Sequence, residues 1–191
     1  MRLRDFRRDF NKNFSKNLDK VTDVMGGLAT DVVEQVNSPK TKAALNSALD
    51  LLRPHFLSLG ARVSILSSSQ VELALPRKMR NLDEHGQILP EVQISAAVEA
   101  YRMLWRRNAP EGHFQIVIKE VQAKFLKFSK TVFKIRGELS EITRESKWAE
   151  LAKHKRSSHE MTLHLFDEEN QICSEIDIRS EFFLKEMLEW K

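Results

Sequence analysis

The chain has 191 residues, 41% hydrophobic and 30% charged, which suits one folded domain with an appendage and excludes a disordered chain. Its single cysteine, Cys173, excludes an internal disulfide and a cysteine-based zinc cluster, and no window holds the roughly 18 apolar residues of a membrane span. The net charge of +4 is local, because residues 1 to 20 carry seven basic side chains against three acidic ones; the balanced remainder makes nucleic acid an unexpected partner.

The first arginines are not followed by the apolar stretch of a secretory signal. With the lone cysteine, this predicts a cytoplasmic protein. Leu3, Phe6, Phe10 and Phe14 fall on one helical face, and Val21, Met25, Leu28, Val32 and Val36 continue the stripe. The reading is a helix over 2–36, with Gly26-Gly27 as a break, then a second helix over 38–52 stopped by Arg53-Pro54. Residues 1–40 form a helical N-terminal arm and 41–191 the main domain. The arm's apolar stripe is expected to pack on the domain or a second subunit. Contact with an anionic membrane surface is the alternative, weakened by the interleaved Asp5, Asp9 and Asp19.

From Gly60 the period becomes two. Val63 and Ile65, then Val71, Leu73 and Leu75, predict two strands joined by Ser67-Ser68-Ser69. A polar loop follows over 77–87. Pro90 opens a helix, with Glu91 suiting its positive end. Val92, Ala96, Ala97, Ala100, Tyr101, Leu104 and Trp105 give it a wide apolar surface, and its small residues predict close packing against a sheet. Strands are expected over 113–128 and 131–140, a short polar helix over 143–155, and a hairpin of two strands around Asp167-Glu168-Glu169-Asn170. A last short helix is expected over 182–190. One apolar helix beside a mainly antiparallel sheet is an α+β layout.

Certain stretches resemble one family. "LRPHFLSLGARVSIL" is similar to the lead-in helix and first strand of hotdog-fold thioesterases, and "RNLDEHGQILPEVQISAAVEAY" to their loop and central helix. "KEVQAKFLKFSKTVFKIRGELSE" resembles their long central strands, and "SSHEMTLHLFDEENQICSEIDIR" their closing hairpin. The chain, from about Leu49 to Phe183, looks most similar to a bacterial branch related to the phenylacetyl-CoA thioesterase type. The resemblance implies a hotdog fold, in which a curved antiparallel sheet wraps around the central helix. It also implies binding or hydrolysis of an acyl-CoA or another acyl thioester, and a homodimer or dimer of dimers with the cleft between subunits.

In that family, backbone N–H groups at the start of the central helix polarise the thioester carbonyl, and an acid activates water or attacks. Carried over, the acid falls on Glu99, and Asn81 matches a loop asparagine. Pro90 takes the position of the histidine in the family's His-Gly-Gly motif. The departure is chemical: Pro90 has no N–H to donate, and Glu91 places negative charge where an oxyanion would develop. His85-Gly86 resembles half the motif, displaced by five residues. Ser95 lies one turn before Glu99 and completes the candidate substrate-binding set of Asn81, His85, Gly86, Pro90, Glu91 and Ser95.

Each candidate has a plainer reading. Glu99 precedes Arg102 by three residues, as in a helix ion pair. His85 reads as an exposed loop histidine, Glu91 as a first-turn acid and Ser95 as helix filler. Lys124, Lys127, Lys130 and Arg136 fit either coenzyme phosphates or an exposed strand face of alternating charge. His154, His159 and His164 do not share a face, so no metal site is expected, and no cofactor fingerprint is present. Two functions stay open: an acyl-CoA thioesterase with Glu99 as base or nucleophile, and an acyl-binding or structural protein without that chemistry. A hydratase or dehydratase using His85 and Glu99 is a further alternative.

Overall fold

The computed structural model describes residues 58–108, 114–128 and 131–184. The two arm helices, the division at residue 40, Lys130 and the chain after Leu184 lie outside these residues. No helix among them is long and apolar enough to cross a membrane.

Among the described residues, six antiparallel strands form one sheet in the order β1-β2-β4-β5-β6-β3. β1 (Arg62–Leu66) and β2 (Gln70–Leu75) are joined by a serine turn, in which Ser67 Oγ accepts from the N–H groups of Ser69 and Gln70. The helix α1 (Pro90–Arg107) follows, then β3 (Phe114–Phe125) and β4 (Phe133–Glu138). A second helix, α2 (Glu141–His154), precedes β5 (Arg156–Phe166) and β6 (Ile172–Leu184).

Alternation decides the sheet's two faces. In β5, Ser157, His159, Met161, Leu163 and Leu165 are buried, and their neighbours face outward. Phe133, Ile135 and Gly137 of β4 point inward, and Gly137 is required there. A Cβ at this position would lie 3.1 Å from a Leu163 methyl carbon and 3.4 Å from one of Val71. α1 covers this inner face and touches every strand. Ala96, Ala97 and Ala100 are fully buried and let the sheet approach closely; Tyr101, Leu104 and Trp105 fill the space beyond. Each such large apolar side chain contributes about 1.5–3 kcal/mol. A helix packed in the concavity of an antiparallel sheet is the hotdog architecture expected from the resemblance.

Two expectations change. The helix expected over 182–190 is not formed at its start, because Phe182, Phe183 and Leu184 extend β6 and pair with Ile116, Gln115 and Phe114 of β3. β5 also begins at Arg156, directly after α2, rather than near Met161. Lys155 makes that reversal in the left-handed region, with φ 61°, and its N–H donates to Leu151 O.

Candidate functional site

The loop before α1 is held by its own polar side chains. Asn81, 2% exposed, donates from Nδ2 to Leu59 O (2.8 Å) and Pro76 O (3.2 Å), while its carbonyl accepts from Leu89 N (2.9 Å). Asp83 Oδ1 accepts from the N–H groups of His85 and Gln87, both at 2.8 Å. Arg77 donates to Gly86 O at 2.6 Å, and Gly86 has φ +74°, where an added Cβ is strained. Asn81 is therefore a scaffold residue. His85 stands at the exposed tip, with 72% of its side chain open and its Nε2 3.5 Å from Glu84. His85 matches its plainer reading.

The helix start determines which donors remain for a ligand. Pro90 has no N–H, and those of Val92 and Gln93 both go to Leu89 O at 3.1 Å. Leu89 N is bound to Asn81 O and Gln87 N to Asp83, so Ile88 and Glu91 alone in this stretch keep an N–H without an acceptor among the described residues. Glu91 and Pro90 are exposed. The helix N-terminus thus retains partial positive charge and a donor.

Glu91, Ser95, Glu99 and Arg102 lie on one stripe of α1. Ser95 is half-buried, and its hydroxyl has no partner among the described residues. Glu99 is 5% exposed, and Arg102 Nη1 donates to its Oε1 at 3.1 Å. The helix ion pair is present, yet its acid is buried rather than on the surface. The cations considered for phosphates are engaged on the outer face: Lys124 lies 3.7 Å from Glu175, Lys127 3.2 Å from Asp167, and Arg136 2.7 Å from Glu72. That pattern favours the alternating-charge reading. Among the described residues, no group of three His, Cys, Asp or Glu side chains could hold a metal ion.

Two buried polar features escaped the sequence reading. Gln93, 6% exposed, donates from Nε2 to Ile88 O (2.8 Å) and accepts from Ser174 Oγ on β6 (2.7 Å). It ties the loop to the sheet and fixes the peptide that follows Ile88. Its signal was available, since a glutamine falls on the same stripe as Ala97, Ala100 and Leu104. The second feature is a chain formed by Tyr101, His159 and Ser180. Tyr101 OH lies 3.2 Å from His159 Nδ1 and 2.5 Å from Ser180 Oγ. Trp105 Nε1 approaches the same phenol without reaching hydrogen-bond geometry. Burial pushes the Tyr101 phenol well above its usual range, against the lowering effect of the Ser180 bond.

No family model matches the sequence, and no curated protein matches it. Solved structures do. A Pseudomonas aeruginosa protein described as a probable thioesterase is 17% identical, with a TM-score of 0.68 over 74% of this chain and 95% of that one. A Chlorobaculum tepidum protein of unknown function is 10% identical, with a TM-score of 0.65 over 78% and 98%. A Haemophilus influenzae thioesterase is 14% identical, with a TM-score of 0.61 over 81% and 98%. At these identities the likeness is one of fold.

Proposed function

We propose, from the hotdog fold this chain shares with thioesterases of known structure, that it binds and hydrolyses an acyl thioester such as an acyl-CoA. The observation that carries this reading is Glu99: a carboxylate 5% exposed, on a central helix whose start keeps an N–H without a partner among the described residues. Glu99 serves as general base or nucleophile, and the N–H of Glu91 or Ile88 receives the thioester oxygen.

The geometry of α1 bears on assembly. Glu91 and Glu99 are eight residues apart, which at roughly 1.5 Å per residue is about 12 Å along the axis. One acid and one helix start from the same chain therefore cannot serve a single carbonyl. The reading requires a homodimer, or a dimer of dimers, in which one subunit supplies the acid and the other the donor. β3 is suited to be the seam, as a twelve-residue strand at the edge of the sheet.

Thiol release from short, medium, long and aromatic acyl-CoAs tests the proposal, with Glu99→Ala as the variant. The expected result is turnover with one class, reduced by about 100-fold or more in a folded variant. Turnover equal in the two proteins removes Glu99 from the chemistry. Absence of turnover with every substrate leaves the second reading, a non-catalytic acyl-binding or structural protein, which the lack of an N–H at Pro90 and the charge of Glu91 favour.

A further inference from the structure

A second polar feature lies away from the start of α1. β4 pairs with β5 only from Lys134–Phe166 to Arg136–His164, and the first half of β5 runs beside α2 instead. A cleft of about 410 Å³ opens there, lined by Thr143 and Lys147 of α2, Ser158, His159 and Glu160 of β5, and Arg179 of β6. This size lies within the range of small-ligand sites. His159, 8% exposed, is the most buried of these side chains.

The proton positions follow from the hydrogen bonds behind it. Ser180 is fully buried, and its hydroxyl has Tyr101 as its only partner among the described residues. Ser180 therefore donates to Tyr101; the reverse would strand its proton in the core. Tyr101 in turn donates to His159 Nδ1. Burial, with the Lys147 charge adding to it, lowers the His159 pKa to about 4, so the ring is neutral at physiological pH. The ring's one proton is then on Nε2. That nitrogen has no partner among the described residues, yet it is not one of the buried unpartnered side-chain atoms, which are Trp105 Nε1 and Trp148 Nε1. It reaches the cleft as a fixed N–H donor.

We propose that this cleft binds a small oxyanion, the phosphate or carboxylate group of a ligand. His159 Nε2–H lies at its floor, with Lys147 supplying charge and Thr143 a hydroxyl, while Ser158, Glu160 and Arg179 rim it from the outer face of the sheet. Acids close by limit the affinity. Lys147 Nζ lies 3.0 Å from Glu150, which also accepts from Ser157, and Arg179 lies 3.3 Å from Glu120 and 3.5 Å from Glu160. Binding in about the millimolar range is expected. The site is independent of thioester chemistry at α1.

The test is a titration of the full chain, labelled at histidine nitrogen, with inorganic phosphate and with acetate in separate experiments at neutral pH. The expected result is a saturable shift of the His159 Nε2 resonance. Lys147→Met and Thr143→Val should each weaken it about tenfold, with thermal unfolding retained, whereas Lys124→Met should leave it unchanged. A response to phosphate alone assigns a phosphoryl ligand, and a response to acetate, alone or with phosphate, a carboxylate. No saturable shift with either anion, or a shift that Lys147→Met leaves intact, overturns the proposal.

Discussion

His159 gives the molecule a dependence on acid. The folded state keeps the ring neutral, with its pKa lowered from 6.5 to about 4 by burial, whereas the unfolded chain takes up a proton near 6.5. This contribution to stability is complete above the unfolded value and is lost as pH falls from 6.5 toward 4. It is on the order of 2 kcal/mol after allowance for the part of the ring that meets solvent. Urea unfolding midpoints measured across that window should decline in the wild type and decline less in His159→Gln; equal slopes in both would assign the effect elsewhere. Gln93 is the other residue whose loss reaches beyond itself. Gln93→Leu leaves Ile88 O and Ser174 Oγ without partners, and should lower stability by about 2–4 kcal/mol. If the two side chains act as one unit, Ser174→Ala adds little to Gln93→Leu in a double-mutant cycle. Neither role was legible from single residues: a buried polar group is explained by its partners, and those lie 81 positions away for Gln93 and 58 for His159. Glu99 was singled out through the resemblance to the thioesterase family, whereas its local helix pattern reads as a surface ion pair with Arg102, and only tertiary packing reveals that it is buried.

The elements with clear periodicity were read correctly. β1 and β2 carry alternating apolar residues that mark them as strands, although a register shift interrupts β1 between Val63 and Ile65, and α1 carries its proline start and apolar stripe in the sequence itself. The end of β6 was not legible. Phe182-Phe183-Leu184 has no alternation to mark a strand, and its pairing with the first residues of β3 decides its state. α2 shows local signals at both ends. Ser140 accepts from Thr143 N at 3.1 Å as its N-cap, so Ser140→Ala should cost about 1 kcal/mol. Lys155 closes the helix with φ 61°, so Lys155→Gly should raise the melting temperature through a gain of roughly 0.5–1 kcal/mol. Differential scanning calorimetry of the two variants measures both signs, and a stabilising Ser140→Ala would contradict the capping role.

For the whole molecule, the length of α1 links chemistry to assembly. A site that draws its acid from one copy and its donor from another must lose activity when the copies separate. Sedimentation velocity should show a dimer, and specific activity should fall on dilution along the same curve as the dimer fraction. Turnover by a monomer would require a different donor near Glu99. The division between β4 and β5 has a consequence of another kind. Over residues 156–163, β5 has a strand neighbour on one side only among the described residues, and α2 packs against this half of the strand. A bare strand edge of this length is a template for joining other chains. Packing of α2 against this half of β5 would hinder such joining, and loss of that fourteen-residue helix would leave the edge more open.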